Sequence, residues 1–467
     1  MIDVWICAKK LFTLQGNKQL KKMFKRDAIQ WLRKWKKSST RKPLVVRGAR
    51  QVGKTSLINQ FSGEFDVFLS FNLENPDDKR IFSKEIPAKE LFQLMLFARH
   101  KQNKGEVLIF IDEIQNSAYA IKMLRYFYEE LPEIYVVAAG SLLETMINTQ
   151  VSFPVGRVEY MALRPCSFCE FLDATGNSQT KDLVENLAVP EQLHDSVMRL
   201  FNIYTLIGGM PAIVAQYAEN QDIVSLDNIY QSLLAGYIDD VEKYTKSDTM
   251  RQTIRFIIQY GWQQAASRIA FEHFGNSNYK SREIGDAMRT LQKTMLLELA
   301  YPTVETELPL SPDLKKKPKL LWLDTGLVNF AAGVQSEIFG KKDISDAWRG
   351  RIAEHIVGQE LLAQTNSFLE HRQFWVREEK NSQAEIDYIY KNRMYGIMPI
   401  EVKSGHNAHL KSLQLFMQQS TCKKAIRFWG QPQAIDNVTT PKGKEFQLQS
   451  LPYYYAGQVE KIITNKN

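Results

Sequence analysis

The chain has 467 residues, more than one hydrophobic core ordinarily organises, so two or three domains are expected. With 44% apolar, 24% charged and 11% aromatic residues, the composition excludes global disorder. No apolar run approaches the ~18 residues of a membrane span. Four cysteines (Cys7, Cys166, Cys169 and Cys422) are too few for a disulfide framework, and Lys9-Lys10 cuts off the short apolar start before it forms a signal-peptide core. The expectation is a cytoplasmic protein.

The net charge of +8 is concentrated at the start. Residues 1–43 hold thirteen Lys/Arg against Asp3 and Asp27, an excess of +11, which leaves about −3 for the rest. This basic N-terminal arm suits a phosphate-rich surface, or forms a solvated amphipathic helix. Ile29, Leu32 and Trp35 recur at three-residue steps and predict a helix over 24–37. Met23 begins a cleaner amphipathic segment, which leaves Met1 and Met23 as alternative starts.

From residue 44 to about 165, short apolar runs alternate with helix-period segments. The runs Leu44–Val46, Val67–Phe71, Val107–Ile111 and Ile134–Ala138 are apolar on both faces, as strands of a covered parallel sheet are. The first leads into Gly48-Ala49-Arg50-Gln51-Val52-Gly53-Lys54-Thr55, a Walker A phosphate loop, and Ser56–Phe61 follows as a helix. The two glycines permit the tight turn that aims backbone N–H groups inward. Lys54 neutralises β/γ oxygens, and Thr55 supplies a hydroxyl to Mg²⁺. ATP and Mg²⁺ are the expected cofactors, held by residues 48–55, Ser56 and Asp112.

The run at Val107 delivers Asp112 and Glu113 to a strand end, where ligands gather in open parallel sheets. Asp112 is the expected Mg²⁺ acid. Glu113 would polarise the attacking water, or cap a helix over Gln115–Glu129. The next strand ends in Gly140-Ser141, where Ser141 is read as a γ-phosphate sensor or a helix N-cap. Arg157 would reach a γ-phosphate in the same chain or from a neighbouring subunit of a homo-oligomer.

Residues 166–300 lose strand character. Val197–Leu206, Ile213–Tyr217 and Asn228–Tyr237 read as helices, and 282–299 as a long helix followed by a strand, the outline of a winged helix. Cys166-Ser167-Phe168-Cys169 has half the spacing of a zinc site and no second half. Pro309–Pro318 is a basic linker, after which a mixed α/β pattern returns.

The quoted Walker A and Asp112-Glu113 segments, with Gly140-Ser141, Gly156-Arg157-Val158, Pro165, Glu170-Phe171, Gly208-Gly209-Met210-Pro211 and Asp324-Thr325-Gly326-Leu327, resemble a bacterial and archaeal family of AAA-type ATPases. Members carry a C-terminal domain that looks like a restriction endonuclease. The resemblance runs from about Met23 to about residue 457 and implies ATP binding, hydrolysis and a nuclease-like C-terminal domain. It departs at Cys166–Cys169, where the family commonly has Leu-Ser-Phe.

The C-terminal domain has its own pattern. Glu385–Tyr390 alternates polar and apolar residues, and Ile397–Lys403 is a second strand with Glu401 and Lys403 on one face. Pairing of the two strands would bring together Asp387, Glu401 and Lys403. That is the Asp…Glu-x-Lys set of restriction-like nucleases: two carboxylates for Mg²⁺ and a lysine to activate water. Glu354, on a helix over Trp348–Leu362, is a further expected ligand. A cross-strand ion pair is the alternative for Glu401 and Lys403.

The expected fold class is α/β: a P-loop parallel sheet of AAA/ASCE type, a helical region with a winged-helix outline, and a restriction-endonuclease-like domain. The expected bounds are 1–43 for the arm, 44–172 for the ATPase core, 173–310 for the helical lid and 320–457 for the last domain. The expected function is a Mg²⁺-dependent ATPase coupled to a nuclease-like domain acting on DNA or RNA. The alternative is a nucleotide-gated switch that binds proteins.

Overall fold

The computed structural model describes residues 24–140, 153–245, 247–335, 346–379, 382–392, 394–404 and 410–465. Five strands form the first sheet: β1 (Leu44–Arg47), β2 (Val67–Asn72), β3 (Val107–Asp112), β4 (Tyr135–Gly140) and β5 (Glu159–Ala162). All pairs are parallel, in the order β2-β3-β4-β1-β5. Alternate side chains of β3 serve opposite cores. Leu108 and Phe110 join one apolar cluster, and Ile109 and Ile111 the other, as a two-residue period requires. Both faces are therefore dry, which is why these runs are continuously apolar.

Helix α1 (Ala28–Lys37) buries Ile29, Leu32 and Trp35 against this body, so the described part of the basic arm is packed. Arg26, just before it, is buried. Its guanidinium donates to Glu170 Oε1 at 2.9 Å, to the Val52 carbonyl at 3.1 Å and to the Arg164 carbonyl at 2.7 Å. Helix α2 (Lys54–Phe61) follows the phosphate loop, α3 (Ala118–Glu130) joins β3 to β4, and α4 (Phe168–Ala174) opens on a capping box of Ser167 and Glu170.

Helices then dominate through α5 (Asp227–Asp239) and α6 (Asp248–Tyr260). A small antiparallel sheet follows, made of β6 (Ser267–Arg268), β7 (Leu297–Ala300) and β9 (Lys319–Trp322) in the order β6-β9-β7, with α7 (Ser281–Lys293) between β6 and β7. Lys319–Trp322 thus closes the sheet of the preceding unit, and the expected domain start at 320 cuts through a strand. In return β8 (Pro302–Thr303) pairs with β10 (Phe374–Glu379) of the next unit.

The last unit opens with the long helix α8 (Asp346–Ala363). Glu385–Tyr390 is two strands, not the expected single one. β11 (Ser382–Ile386) pairs with β10, whereas β12 (Tyr388–Asn392) joins a second sheet, and the chain bends at Asp387. That bend is fixed at long range, because Asp387 Oδ2 accepts from the Val402 N–H at 2.7 Å. The second sheet holds β12, β13 (Gly396–Val402), β14 (Lys424–Trp429), β15 (Ala434–Thr439) and β16 (Glu445–Pro452) in the order β12-β13-β14-β16-β15, with α9 (Lys411–Gln419) after β13. One apolar cluster runs from Ala28 through Trp322 and Ile356 to Ile462, so the three units share a core. Among the described residues, no helix is long and apolar enough to cross a membrane.

Candidate functional site

The phosphate loop sits at the carboxyl ends of β1 and β3. Gly53 has φ 93°, a left-handed conformation that only glycine adopts without strain. A Cβ on Gly48 would stand 2.5 Å from the Leu163 carbonyl oxygen. Lys54 Nζ donates to the Gly48 and Ala49 carbonyls, each at 2.9 Å, and burial pushes its pKa down to about 8. Ala49 and Val52 are buried, while Gln51, Thr55 and Ser56 are exposed. Thr55 Oγ1 donates to Asp112 Oδ2 at 2.6 Å, which joins the loop to the end of β3.

Glu113 has φ 50°, left-handed for a side-chain-bearing residue, at a cost of roughly 1–3 kcal/mol. Burial raises its pKa, and Gln115 Nε2 donates to its carboxylate. The following helix begins only at Ala118, where the Ser117 hydroxyl caps Ala120 N. Its N-terminus therefore already has a cap other than Glu113.

Other residues on this loop carry no local sequence signal. The buried Asp240 carboxylate pairs with Arg50, and Tyr237 OH donates to the Arg50 carbonyl at 3.2 Å, so the end of α5 lies against the loop. Arg26 ties Val52 from the other side. All three lie far from the motif in sequence. Ser141 falls outside the described residues. Arg157 is half-buried, its Nε bonds Glu129 of α3 at 2.8 Å, and it precedes Glu159, which pairs with Leu44 at the start of β1, the end away from the loop.

In the last unit, β12 and β13 pair antiparallel, with Tyr388 opposite Ile400, so Asp387 and Glu401 meet at one end of the sheet. Lys403 Nζ bonds Glu401 Oε1 at 2.5 Å. Glu401 is 3% exposed, and its buried Oε2 has no hydrogen-bond partner among the described residues. The tighter group is different from the expected one. Glu354, Glu385 and Asp387 place carboxylate oxygens within 4.8 Å of one another, and Glu401 stands beside them with Lys403. Burial raises the pKa of Glu354 and of Glu401 to about 8 each, and that of Asp387 as well.

Sequence reading missed the centre of this group. Lys319 of β9 is buried, and its Nζ lies 2.5 Å from Glu354 Oε1, 2.6 Å from Glu385 Oε1 and 3.8 Å from Asp387 Oδ1. It follows Pro318 directly after a run of surface lysines, so nothing local marks it.

Helix α8 connects the two sites. Glu354 faces the acidic group, and His355 Nε2 accepts from the Trp322 N–H of β9 at 3.0 Å. Gln359 Oε1 accepts from Thr325 N at 2.9 Å, and Glu360 Oε1 accepts from Phe168 N at 3.1 Å and from Tyr204 OH at 2.7 Å. The Gly208-Gly209 and Asp324–Leu327 segments also meet. Asp324 Oδ2 accepts from Gly209 N at 2.6 Å and its Oδ1 from Leu327 N at 3.0 Å, while a Cβ on Gly326 would fall 2.0 Å from the Ile207 carbonyl oxygen.

With this geometry in place, comparison with known proteins separates the parts. Residues 40–172 match the AAA domain family. The chain therefore carries an AAA-type P-loop ATPase domain, a nucleotide-binding module. Residues 198–338 and 349–440 match two domain families of unknown function. No curated protein matches the chain. Among solved structures, the Walker-type ATPase PABY2304 of Pyrococcus abyssi is similar at 14% identity, over 67% of this chain and 97% of that one, with a TM-score of 0.43. The Aeropyrum pernix ORC1 protein in complex with DNA is similar at 11% identity, over 69% and 95%, with a TM-score of 0.27. The STAND protein PH0952 of Pyrococcus horikoshii, with a tetratricopeptide repeat sensor, is similar at 11% identity, over 75% and 48%, with a TM-score of 0.28.

Proposed function

We propose that the AAA domain hydrolyses ATP with Mg²⁺ and is coupled to a restriction-endonuclease-like domain that acts on nucleic acid. The hydrolysis half rests on Glu113. It is held in a left-handed backbone beside the Thr55–Asp112 pair, and its carboxylate has a raised pKa. On phosphate binding, Lys54 exchanges the Gly48 and Ala49 carbonyls for β/γ oxygens. Thr55 and Asp112 present adjacent oxygens that fit Mg²⁺, which when bound neutralises charge on the phosphates. Glu113 takes a proton from the attacking water, a task that favours a carboxylate shifted toward neutral pH. Gln115 fixes its direction.

The nuclease half is carried by a single observation: Asp387, at the bend before β12, and Glu401, on β13, meet at one end of the paired strands, with Lys403 two residues after Glu401 and Glu354 on the preceding helix. Glu401 Oε2, unpaired among the described residues, fits a cation ligand, because a buried unpaired carboxylate oxygen is costly. Asp387, Glu401 and Glu354 would hold the metal, which when bound polarises a phosphodiester. Lys403 would orient water or stabilise charge at the phosphate. The β6-β9-β7 sheet with α6 and α7 supports a winged-helix reading of the middle unit, a fold that suits nucleic acid.

The test is cleavage and binding of DNA and RNA in Mg²⁺ or Mn²⁺ by wild type and by Glu401→Ala. We expect the variant to lose cleavage by about 100-fold or more, as removal of a metal ligand does. Identical cleavage and binding in the two proteins would sink the nuclease half. A second reading, a nucleotide-gated protein-binding switch, is favoured by Lys319 alone, since an ammonium already fills the acidic group. An ATPase rate indifferent to DNA and RNA would support it.

A further inference from the structure

We infer that Lys319 is the resident cation of the acidic centre, standing where a divalent ion would bind, so that the centre takes Mg²⁺ or Mn²⁺ only when this ammonium is withdrawn. The inference rests on the metal-centre reading above and adds its regulation.

Four features carry it. The ammonium is 2% exposed, so it is a buried part of the centre and not a surface neighbour. It touches all three carboxylates of the tight group: Glu354 at 2.5 Å, Glu385 at 2.6 Å and Asp387 at 3.8 Å. Mg²⁺ would bind such oxygens at ~2.0–2.1 Å, which draws them around the volume that Nζ fills. One cation fits there at a time. Third, the Phe374 ring lies 4.5 Å from the ammonium and closes another side. Lys319 Nζ donates to Glu354 Oε1 and forms ion pairs with Glu385 and Asp387, so it acts here as a counterion.

The fourth feature is where the lysine comes from. Glu354, Glu385, Asp387 and Glu401 belong to the last unit, whereas Lys319 belongs to β9, whose backbone pairs with β6 and β7. The cation is therefore delivered by the winged-helix-like unit. Its position depends on how that small sheet sits against α8, where His355 accepts from Trp322 N. A shift of the small sheet along α8 withdraws the ammonium, and with it Arg268 of β6, which lies 3.9 Å from Glu385, and leaves four carboxylates beside Lys403. That charge excess recruits a divalent ion.

The experiment measures Mn²⁺ binding to the full-length, nucleotide-free protein by calorimetry and by electron paramagnetic resonance. The proteins are wild type, Lys319→Met and Lys319→Met/Asp387→Asn. We expect weak binding by wild type, binding tightened at least about tenfold in Lys319→Met, and loss of that gain in the double variant. Lys319→Met should also melt at a lower temperature than wild type and recover with Mn²⁺ but not with Na⁺. Should it fail to fold, Lys319→Gln/Glu385→Gln removes one charge of each sign and takes its place. Equal, tight binding by wild type and Lys319→Met would overturn the lysine's role and leave the metal centre standing. No Mn²⁺ binding by any of the proteins would overturn both.

Discussion

Lys54 spends the nucleotide-free state bonded to two carbonyls of its own loop, in surroundings that lower its pKa to about 8. Only the ammonium form attracts phosphate, and bound phosphate raises the pKa again. ATP affinity should therefore be full below pH 8 and fall by about tenfold per pH unit above it, until the bound-state pKa is reached. Equilibrium binding of a fluorescent ATP analogue across pH 7–10 checks this, and Lys54→Ala should show no binding at any of these pH values. Glu113→Gln should retain ATP binding while turnover drops by about 100- to 10,000-fold, the usual worth of a general base. Phosphate release in single-turnover conditions is the measurement, and equal rates would remove Glu113 from the chemistry. The loop residues were legible because their function is local: eight consecutive residues contain the turn, the lysine and the hydroxyl. Arg26, Asp240 and Lys319 were not: Arg26 sits in the basic arm 26 residues from Val52, Asp240 lies 190 residues from Arg50, and Lys319 follows a run of similar charges.

At the scale of elements, the parallel sheet could be read because each strand is buried on both faces and its apolar run is therefore unbroken. The Glu385–Tyr390 segment shows the opposite case. Its polar–apolar alternation is the same whether it forms one strand or two, and the break at Asp387 is set by the Val402 N–H from another strand. Helix α8 was visible as a helix, but its partners were not, since it presents polar residues to buried acceptors and donors on several sides. A comparable tie joins β7 to the segment before β10. Glu298 is buried and accepts from both Arg372 N at 2.7 Å and Arg372 Nε at 2.8 Å. Burial alone would raise its pKa, but the Arg372 guanidinium and His371 bring it down to about 2. A carboxylate whose folded pKa lies below its unfolded value stabilises the fold above the unfolded value. That stability is lost as pH falls from about 4.5 toward 2. Glu298→Gln leaves Arg372 buried without its carboxylate and should cost about 3–5 kcal/mol in urea unfolding at neutral pH, with less sensitivity to acid than wild type.

For the whole molecule, Arg157 is the residue that bears on assembly. Its guanidinium pairs with Glu129 of α3, which makes a γ-phosphate contact in a second copy the case to test. If the ATPase works as an oligomer, Arg157→Ala should leave ATP binding unchanged and lower turnover by about a thousandfold, the scale of an arginine finger. Mass photometry with and without ATP should show assembly for both proteins. An unchanged rate in Arg157→Ala would remove the residue from catalysis.

Helix α8 has one more consequence, which concerns how the chain can be divided. Its side chains pair with Phe168 of the AAA domain, with Tyr204, Thr325 and Trp322 in the middle, and with Lys319 at the acidic centre. Cutting the chain before residue 346 would leave those donors without acceptors and strip the cover from a shared apolar core. The AAA domain and the C-terminal unit are thus parts of one cooperative body. If a rearrangement at the nucleotide is felt at the far end, the packed neighbours of this shared core are the route open to it.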